Sequence, residues 1–212
     1  MYQNIKIAVL GGGGRTGKYL ITQLIEKGYH INVLLRKPEM FQIKSPLIKI
    51  IEGDALDFTA TSKLINGCQA VISTIGQRPG EPLVAAQATE NVLRAMTTFG
   101  VKRYLLLAGI NIDTPFDKKG HKTIIATDWM KLNYPVIHED RQKAYSLLVN
   151  SNINWTLVRV PFIEFSNAKG NVAADLNDCL GDKIDAGNIA RFLIEQLFEN
   201  SYDHKAPFIY NS

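Results

Sequence analysis

Residues 8–20, AVLGGGGRTGKYL, decide the fold. Four glycines in a row separate a short apolar run from the start of a helical pattern. Inside a helix or strand each glycine costs roughly 0.5–1 kcal/mol relative to alanine, so the run needs a structural reason. Gly11, Gly14 and Gly17 are spaced G-x-x-G-x-x-G, while Gly12, Gly14 and Gly17 satisfy G-x-G-x-x-G. Placed directly after a strand and opening a helix, this is the spacing of a dinucleotide-binding turn. One glycine permits the tight turn, one lets backbone approach a pyrophosphate, and one lets helix and strand pack closely. The helix N-terminus adds free N–H groups and about half a positive charge facing the phosphates. The expected cradle is Gly11, Gly12, Gly13, Gly14, Arg15, Thr16 and Gly17.

Outward from this turn, short apolar runs alternate with helical patterns. Strands are expected at 5–10, 30–35, 47–52, 69–75, 103–109, 154–160 and 206–210, and helices at 15–27, 59–66, 82–99, 138–150 and 185–199. Asp185 is a good N-cap for the last helix, which would bury Ile189, Phe192, Leu193 and Leu197 on one face. The first strands are apolar almost throughout, as strands covered on both faces are. The expected architecture is an α/β Rossmann-type doubly wound, mainly parallel sheet with helices on both faces. Residues 1–212 read as one domain, with no internal repeat or linker. Two stretches, 110–137 and 161–183, resist assignment and are expected to be irregular and to form the substrate side.

The totals exclude other classes. The chain has 212 residues, 46% hydrophobic and 21% charged, which is ordinary for a soluble globular protein. No apolar run reaches the ~18 residues of a membrane span, and the N-terminus lacks the pattern of a signal peptide. Cys68 and Cys179 stand far apart with no Cys-x-x-Cys pair, so two reduced thiols and a cytoplasmic location are expected. The net charge of +4 is uneven: residues 1–103 hold 13 Lys/Arg against 7 Asp/Glu, leaving 11 against 13 in the rest. A basic N-terminal half suits a polyanionic ligand, but no segment has the basic density of a nucleic-acid stripe.

The end of the second strand selects the cofactor. An NAD site carries an Asp or Glu about 20 residues past the glycines, to bind the ribose 2′-hydroxyl. Here that position holds Arg36, followed by Lys37. A guanidinium binds a 2′-phosphate bidentately, where a carboxylate would repel it, so NADP(H) is expected, with Arg15 able to reach the same phosphate. Asp54 and Ala55, after the third strand, are placed near the adenine. Ile75 and Gly76, after the fourth, are placed along the ribose and pyrophosphate.

The motif order GGGGRTG, VLLRKP, EGDALD, AVISTIG, TENVLRAMTTFGVKRYLLLAG and LLVNSNINWTLVRVPFI resembles the atypical short-chain dehydrogenase/reductase family. Within it, the chain is similar to the NAD(P)H-binding group of flavin/biliverdin reductases and NmrA-like proteins. The resemblance implies a Rossmann fold, an NADP(H) site and a substrate pocket over the nicotinamide, bordered by Ala108, Gly109, Val160 and Pro161. Members with ordinary dehydrogenase chemistry carry a Ser at the end of strand five and a Tyr-x-x-x-Lys pair on the next helix. Here Ala108 and Gly109 take the serine's place, and Arg141 stands about where the Lys would be. Tyr2 to Lys6 is the only Tyr-x-x-x-Lys in the chain, and it precedes the first strand.

Other constellations are weaker. HEDRQ, from His138, lacks the second histidine of a zinc helix, and DLNDCLGDKID, from Asp175, fails the calcium-loop pattern, so no metal is expected. His138 and Arg141 share a helix face at i and i+3; they read as helix-surface charges, or as a pair that could hold an anionic substrate or the cofactor. Trp129, Phe162 and Phe165 read as core residues or as a stacking surface for a planar substrate. The expected activity is hydride transfer from NADPH to a planar acceptor such as a flavin or quinone, which needs little acid catalysis. The alternative is a non-catalytic, NmrA-like redox sensor acting through a partner protein. A small-molecule acceptor, no nucleic acid or membrane, and a monomer or homodimer complete the expectation.

Overall fold

The structure is a computed structural model that describes residues 5–167 and 170–212. In chain order its elements are β1 (Lys6–Leu10), α1 (Gly17–Glu26), β2 (His30–Leu35), β3 (Ile48–Glu52), α2 (Phe58–Ile65), β4 (Ala70–Ser73), α3 (Ala85–Phe99) and β5 (Arg103–Gly109). Then follow α4 (His121–Asn133), α5 (Pro135–Val149), β6 (Asn154–Val160), β7 (Phe162–Glu164), β8 (Val172–Asp175), β9 (Lys183–Asp185), α6 (Ala186–Glu195) and β10 (Phe208–Asn211). Eight strands form one sheet in the order β3-β2-β1-β4-β5-β6-β10-β8. All pair in parallel except β8, which runs antiparallel to β10. Strands β7 and β9 form a separate parallel ribbon. The order reverses between β1 and β4, the switch point where a Rossmann sheet opens its ligand crevice.

Side-chain alternation explains why β1 is apolar at every position. Ile7 and Val9 point into one layer with Leu20, Ile21 and Leu24 of α1 and Ile189 and Leu193 of α6. Ala8 and Leu10 point into the other, against Leu64 of α2, Val92 and Met96 of α3 and Leu148 of α5. The sheet is thus buried on both faces, as the apolar strands require.

The irregular stretches are more ordered than expected. Residues 110–137 contain α4 and the start of α5, whose Pro135 sits in the first turn, where its missing N–H costs nothing. Helix α4 is hard to read because it has no apolar stripe facing the core. Its buried residues are Thr123 and Thr127, while Ile124, Ile125, Trp129 and Leu132 are exposed. The stretch 161–183 contains β7, β8 and the start of β9. Asp185 does precede α6, but its side chain makes no capping bond; it accepts instead from Ser166 Oγ and from Asn211 Nδ2.

A buried charge pins the segment after β5. Arg159, fully buried on β6, gives Nη1 to both oxygens of Asp117 at 2.8 Å and to the Ile112 carbonyl at 3.0 Å. Its Nε and Nη2 donate to the Ala206 carbonyl, and its guanidinium lies 3.5 Å over the Phe208 ring. Asp117 in turn accepts from the N–H and hydroxyl of Thr114. Removing one partner leaves the other charge buried without compensation, so Asp117→Ala is expected to cost about 3–5 kcal/mol in urea unfolding. At the glycine turn, a Cβ on Gly17 would overlap the Gly11 carbonyl oxygen, whereas one on Gly76 would meet nothing within 4 Å. Gly17→Ala is therefore expected to destabilise by about 1–3 kcal/mol, and Gly76→Ala by no more than about 0.5 kcal/mol, in the same measurement.

Candidate functional site

The parallel register gathers the expected site at one edge of the sheet. Leu10 pairs with Ser73, Leu35 with Glu52 and Gly109 with Val160, so the turns after β1, β2, β3, β4, β5 and β6 all open on that edge. The glycine turn, Arg36, Asp54, Gly76, Gly109 and Pro161 stand there together.

Within the turn the glycines divide their roles. Gly11 takes a left-handed backbone (φ 79°), and a Cβ there would meet the Thr74 carbonyl carbon at 2.7 Å, at the end of β4. Gly17 packs on the Gly11 and Gly12 backbone, and Gly12 is held against Val33 and Ile21. Gly13 and Gly14 are the ones left open to approach, Gly13 exposed and Gly14 half-buried. The Gly14 N–H returns to the Gly11 carbonyl at 2.9 Å and the Lys18 N–H to the Gly14 carbonyl at 3.2 Å. Between them lie the first-turn N–H groups of α1, which precede intrahelical bonding. Thr16 is the buried N-cap residue, but its side chain makes no capping bond. This backbone fits a dinucleotide diphosphate: bare glycine, a helix start, and no acidic residue in the first turn of α1.

The cationic side differs from expectation. Arg36 is not a free guanidinium: it meets Glu81 fork to fork, with both N–O distances 2.9 Å, and its Nη1 is 3.8 Å from Asp54. The bonded guanidinium holds the Glu81 carboxyl below the usual carboxylate range. Glu81 lies in the turn after β4, 45 residues away in sequence, and no local spacing points to it. Arg15 does not join Arg36. Its guanidinium stacks 4.3 Å over the Phe165 ring, and the neighbouring Tyr19 hydroxyl donates to the Phe165 carbonyl at 2.6 Å. The segment after β7 is thus strapped over the start of α1.

Asp54 accepts from the Leu56 N–H, closing its own turn. The Ala55 methyl is buried in the core beside Leu10 and Leu34, and its carbonyl accepts from Asn91. Ile75 is half-buried on the same layer, and Gly76 is exposed.

The far end of the edge holds the expected substrate group. A Cβ on Gly109 would lie 2.7 Å from Asn111 Oδ1 and 3.7 Å from Arg141 Nη1, so a side chain there would require the Asn111 amide to shift. Asn111 Nδ2 is 3.1 Å from His138 Nδ1, and both residues are buried. Burial pushes the His138 imidazole below its ordinary value, aided by Lys131, so it is neutral near pH 7. His138 and Arg141 are therefore not solvated helix-surface charges. The Arg141 guanidinium is half-buried with no hydrogen bond or ion pair to any described residue, and burial pushes its pKa down. The nearby Asp140 carboxylate accepts from the Ala85 and Ala86 N–H groups at the start of α3. Trp129, Phe162 and Phe165 are exposed rather than core, Phe162 at 74%. Ala108 is half-buried, Val160 is buried and Pro161 is half-buried beside it.

Neither cysteine is a nucleophile: both are free and buried, with Cys68 pushed up to about 12 and Cys179 up to about 11 by burial. Tyr2, of the one Tyr-x-x-x-Lys, lies outside the described residues. Among the described residues, no three His, Cys, Asp or Glu side chains group to hold a metal, and no helix is long and apolar enough to cross a membrane.

Comparison with known proteins bears on the fold and the family. The chain is 25% identical over 203 residues to an uncharacterized chloroplastic protein of Arabidopsis thaliana, covering 91% of this chain and 70% of that one. It superposes on anaerobilin reductase ChuY of Escherichia coli O157:H7 with a TM-score of 0.81 at 15% identity, covering 97% of each chain. It superposes on a short-chain dehydrogenase/reductase of Veillonella parvula in complex with NADP with a TM-score of 0.79 at 14% identity, covering 98% of this chain and 94% of that one. A family model described as NAD(P)H-binding matches residues 11–200, nearly the whole chain from the glycine turn onward, and the chain belongs to that NAD(P)H-binding family.

Proposed function

We propose that this chain is an NADPH-dependent reductase, acting on a planar, easily reduced small molecule of the flavin or quinone type. The carrying observation is the assembly at one sheet edge of a bare glycine backbone, a helix start and Arg36. Gly13 and Gly14 with the first turn of α1 would hold the diphosphate, Arg36 the ribose 2′-phosphate, and Ala108, Gly109, Val160 and Pro161 would border the nicotinamide. Bound NADPH supplies the hydride. The NADP complex of the Veillonella protein and the reductase named for the Escherichia one support the reading by analogy.

The chain's own contribution is positional. Ala108 and Gly109 bring no acid to the reacting face, which suits an acceptor whose proton comes from water. Arg141 is the group we assign to an anionic substituent of that acceptor, since a half-buried, unpaired guanidinium is a ready anion receptor. His138, neutral and anchored through Nδ1 to Asn111, and the exposed Phe162 complete the substrate side. We take residues 1–212 as one unit working in the cytoplasm.

A second reading is a redox sensor that binds NADP(H) without turnover. It is favoured by the exposed apolar residues Ile125, Trp129 and Leu132 of α4, which would face a partner protein. Turnover separates the two. NADPH oxidation, followed by loss of its absorbance, is expected with at least one flavin or quinone; tight NADPH binding with no turnover on the whole panel overturns the reductase. Arg36→Gln is expected to weaken NADPH about tenfold and NADH little, and equal weakening of both refutes the cofactor assignment. Arg141→Met is expected to raise KM about tenfold for a carboxylate- or phosphate-bearing acceptor while leaving kcat nearly unchanged.

A further inference from the structure

The Arg36–Glu81 pair occupies the Nη1–Nη2 edge of the guanidinium, one of the edges a 2′-phosphate could take. Nη1 meets Oε2 and Nη2 meets Oε1, both at 2.9 Å, which is the bidentate geometry a phosphate would also adopt. The carboxylate comes from a turn that is already built. Gln77 Nε2 donates to the carbonyls of Arg78 (3.1 Å), Glu81 (2.9 Å) and Pro82 (3.1 Å), tying that turn together. A dianionic phosphate and this carboxylate cannot both take the same two nitrogens. A ribose hydroxyl carries no charge and cannot compete for them.

We propose that Glu81 is a specificity-determining residue: an internal competitor with the 2′-phosphate of NADPH for the Nη1–Nη2 edge of Arg36, which NADH leaves in place. Glu81 therefore holds the preference for NADPH below the level Arg36 alone would set. The inference rests on the reading of this edge as an NADP(H) site. The two side chains are 41% and 37% exposed, so water screens the pair and the effect is modest.

The test is calorimetric titration of NADPH and NADH into the native chain, Glu81→Gln, Arg36→Gln and the double variant. Glu81 is exposed, so the glutamine variant keeps the fold, checked by an unchanged thermal melt. Glu81→Gln is expected to tighten NADPH about threefold to fivefold and to change NADH by less than about twofold. The gain is expected to vanish in the Arg36→Gln background. Unchanged or weaker NADPH binding, equal tightening of both cofactors, weaker NADH binding, or a gain that survives without Arg36 each overturns the role of Glu81. A selective NADPH loss in Arg36→Gln alongside a silent Glu81→Gln sinks this inference alone. If Arg36→Gln affects neither cofactor, the NADP(H) reading itself falls.

Discussion

The close contact between Gly17 and Gly11 is the constraint on which the rest depends. The first turn of α1 lies directly on the backbone that leaves β1, and Gly11 in turn lies on the backbone that leaves β4. No side chain fits between these three segments. Their contact places the helix start at the point where the sheet order reverses, with its free N–H groups facing the crevice. An alanine at Gly17 would push α1 away from β1 and spoil the cradle and the packing of Leu20, Ile21 and Leu24 together.

Charge at the same edge is arranged by tertiary contacts. Arg36 and Asp54 arrive on adjacent strands, and Glu81 arrives from the turn after β4. Arg78 also reaches Glu81, its Nη1 3.7 Å from Oε1, so two guanidinium groups and two carboxylates meet there. On the far side, Arg141 stands unpaired because the adjacent Asp140 accepts from the start of α3. Arg141 is thus a half-buried cation beside Gly109.

Buried Arg159 links this chemistry to stability. It fixes Asp117 and the Ile112 carbonyl, and so sets the path of the chain just beyond Gly109 and Asn111. Lys119 extends the network to Asp113 at 2.7 Å and to the Ile112 carbonyl at 3.1 Å. The segment that positions Asn111 against His138 is therefore held by charges as well as by Ile112, which is buried in the core layer with Leu148 and Trp155.

Sequence alone determined seven of the sheet's eight strands and the glycine turn, because these rest on local rules, whereas β8 lies in the stretch that resisted assignment. Apolar strands of five to seven residues and glycines at fixed offsets act through backbone geometry, so β1, β2, β5 and β6 lie within a residue of their expected places. Helix α4 was illegible since its apolar residues face outward and its buried ones are threonines. The glycine turn was legible because backbone contacts themselves require its glycines, as at Gly11 and Gly17. The site was not legible where two side chains from distant segments meet. Nothing near Arg36 announces Glu81, nothing near Arg15 announces Phe165, and nothing near Asn111 announces His138. Those pairings exist only once the parallel register brings the strand ends to one edge, and side-chain partners 27 to 150 positions apart leave no trace in local spacing.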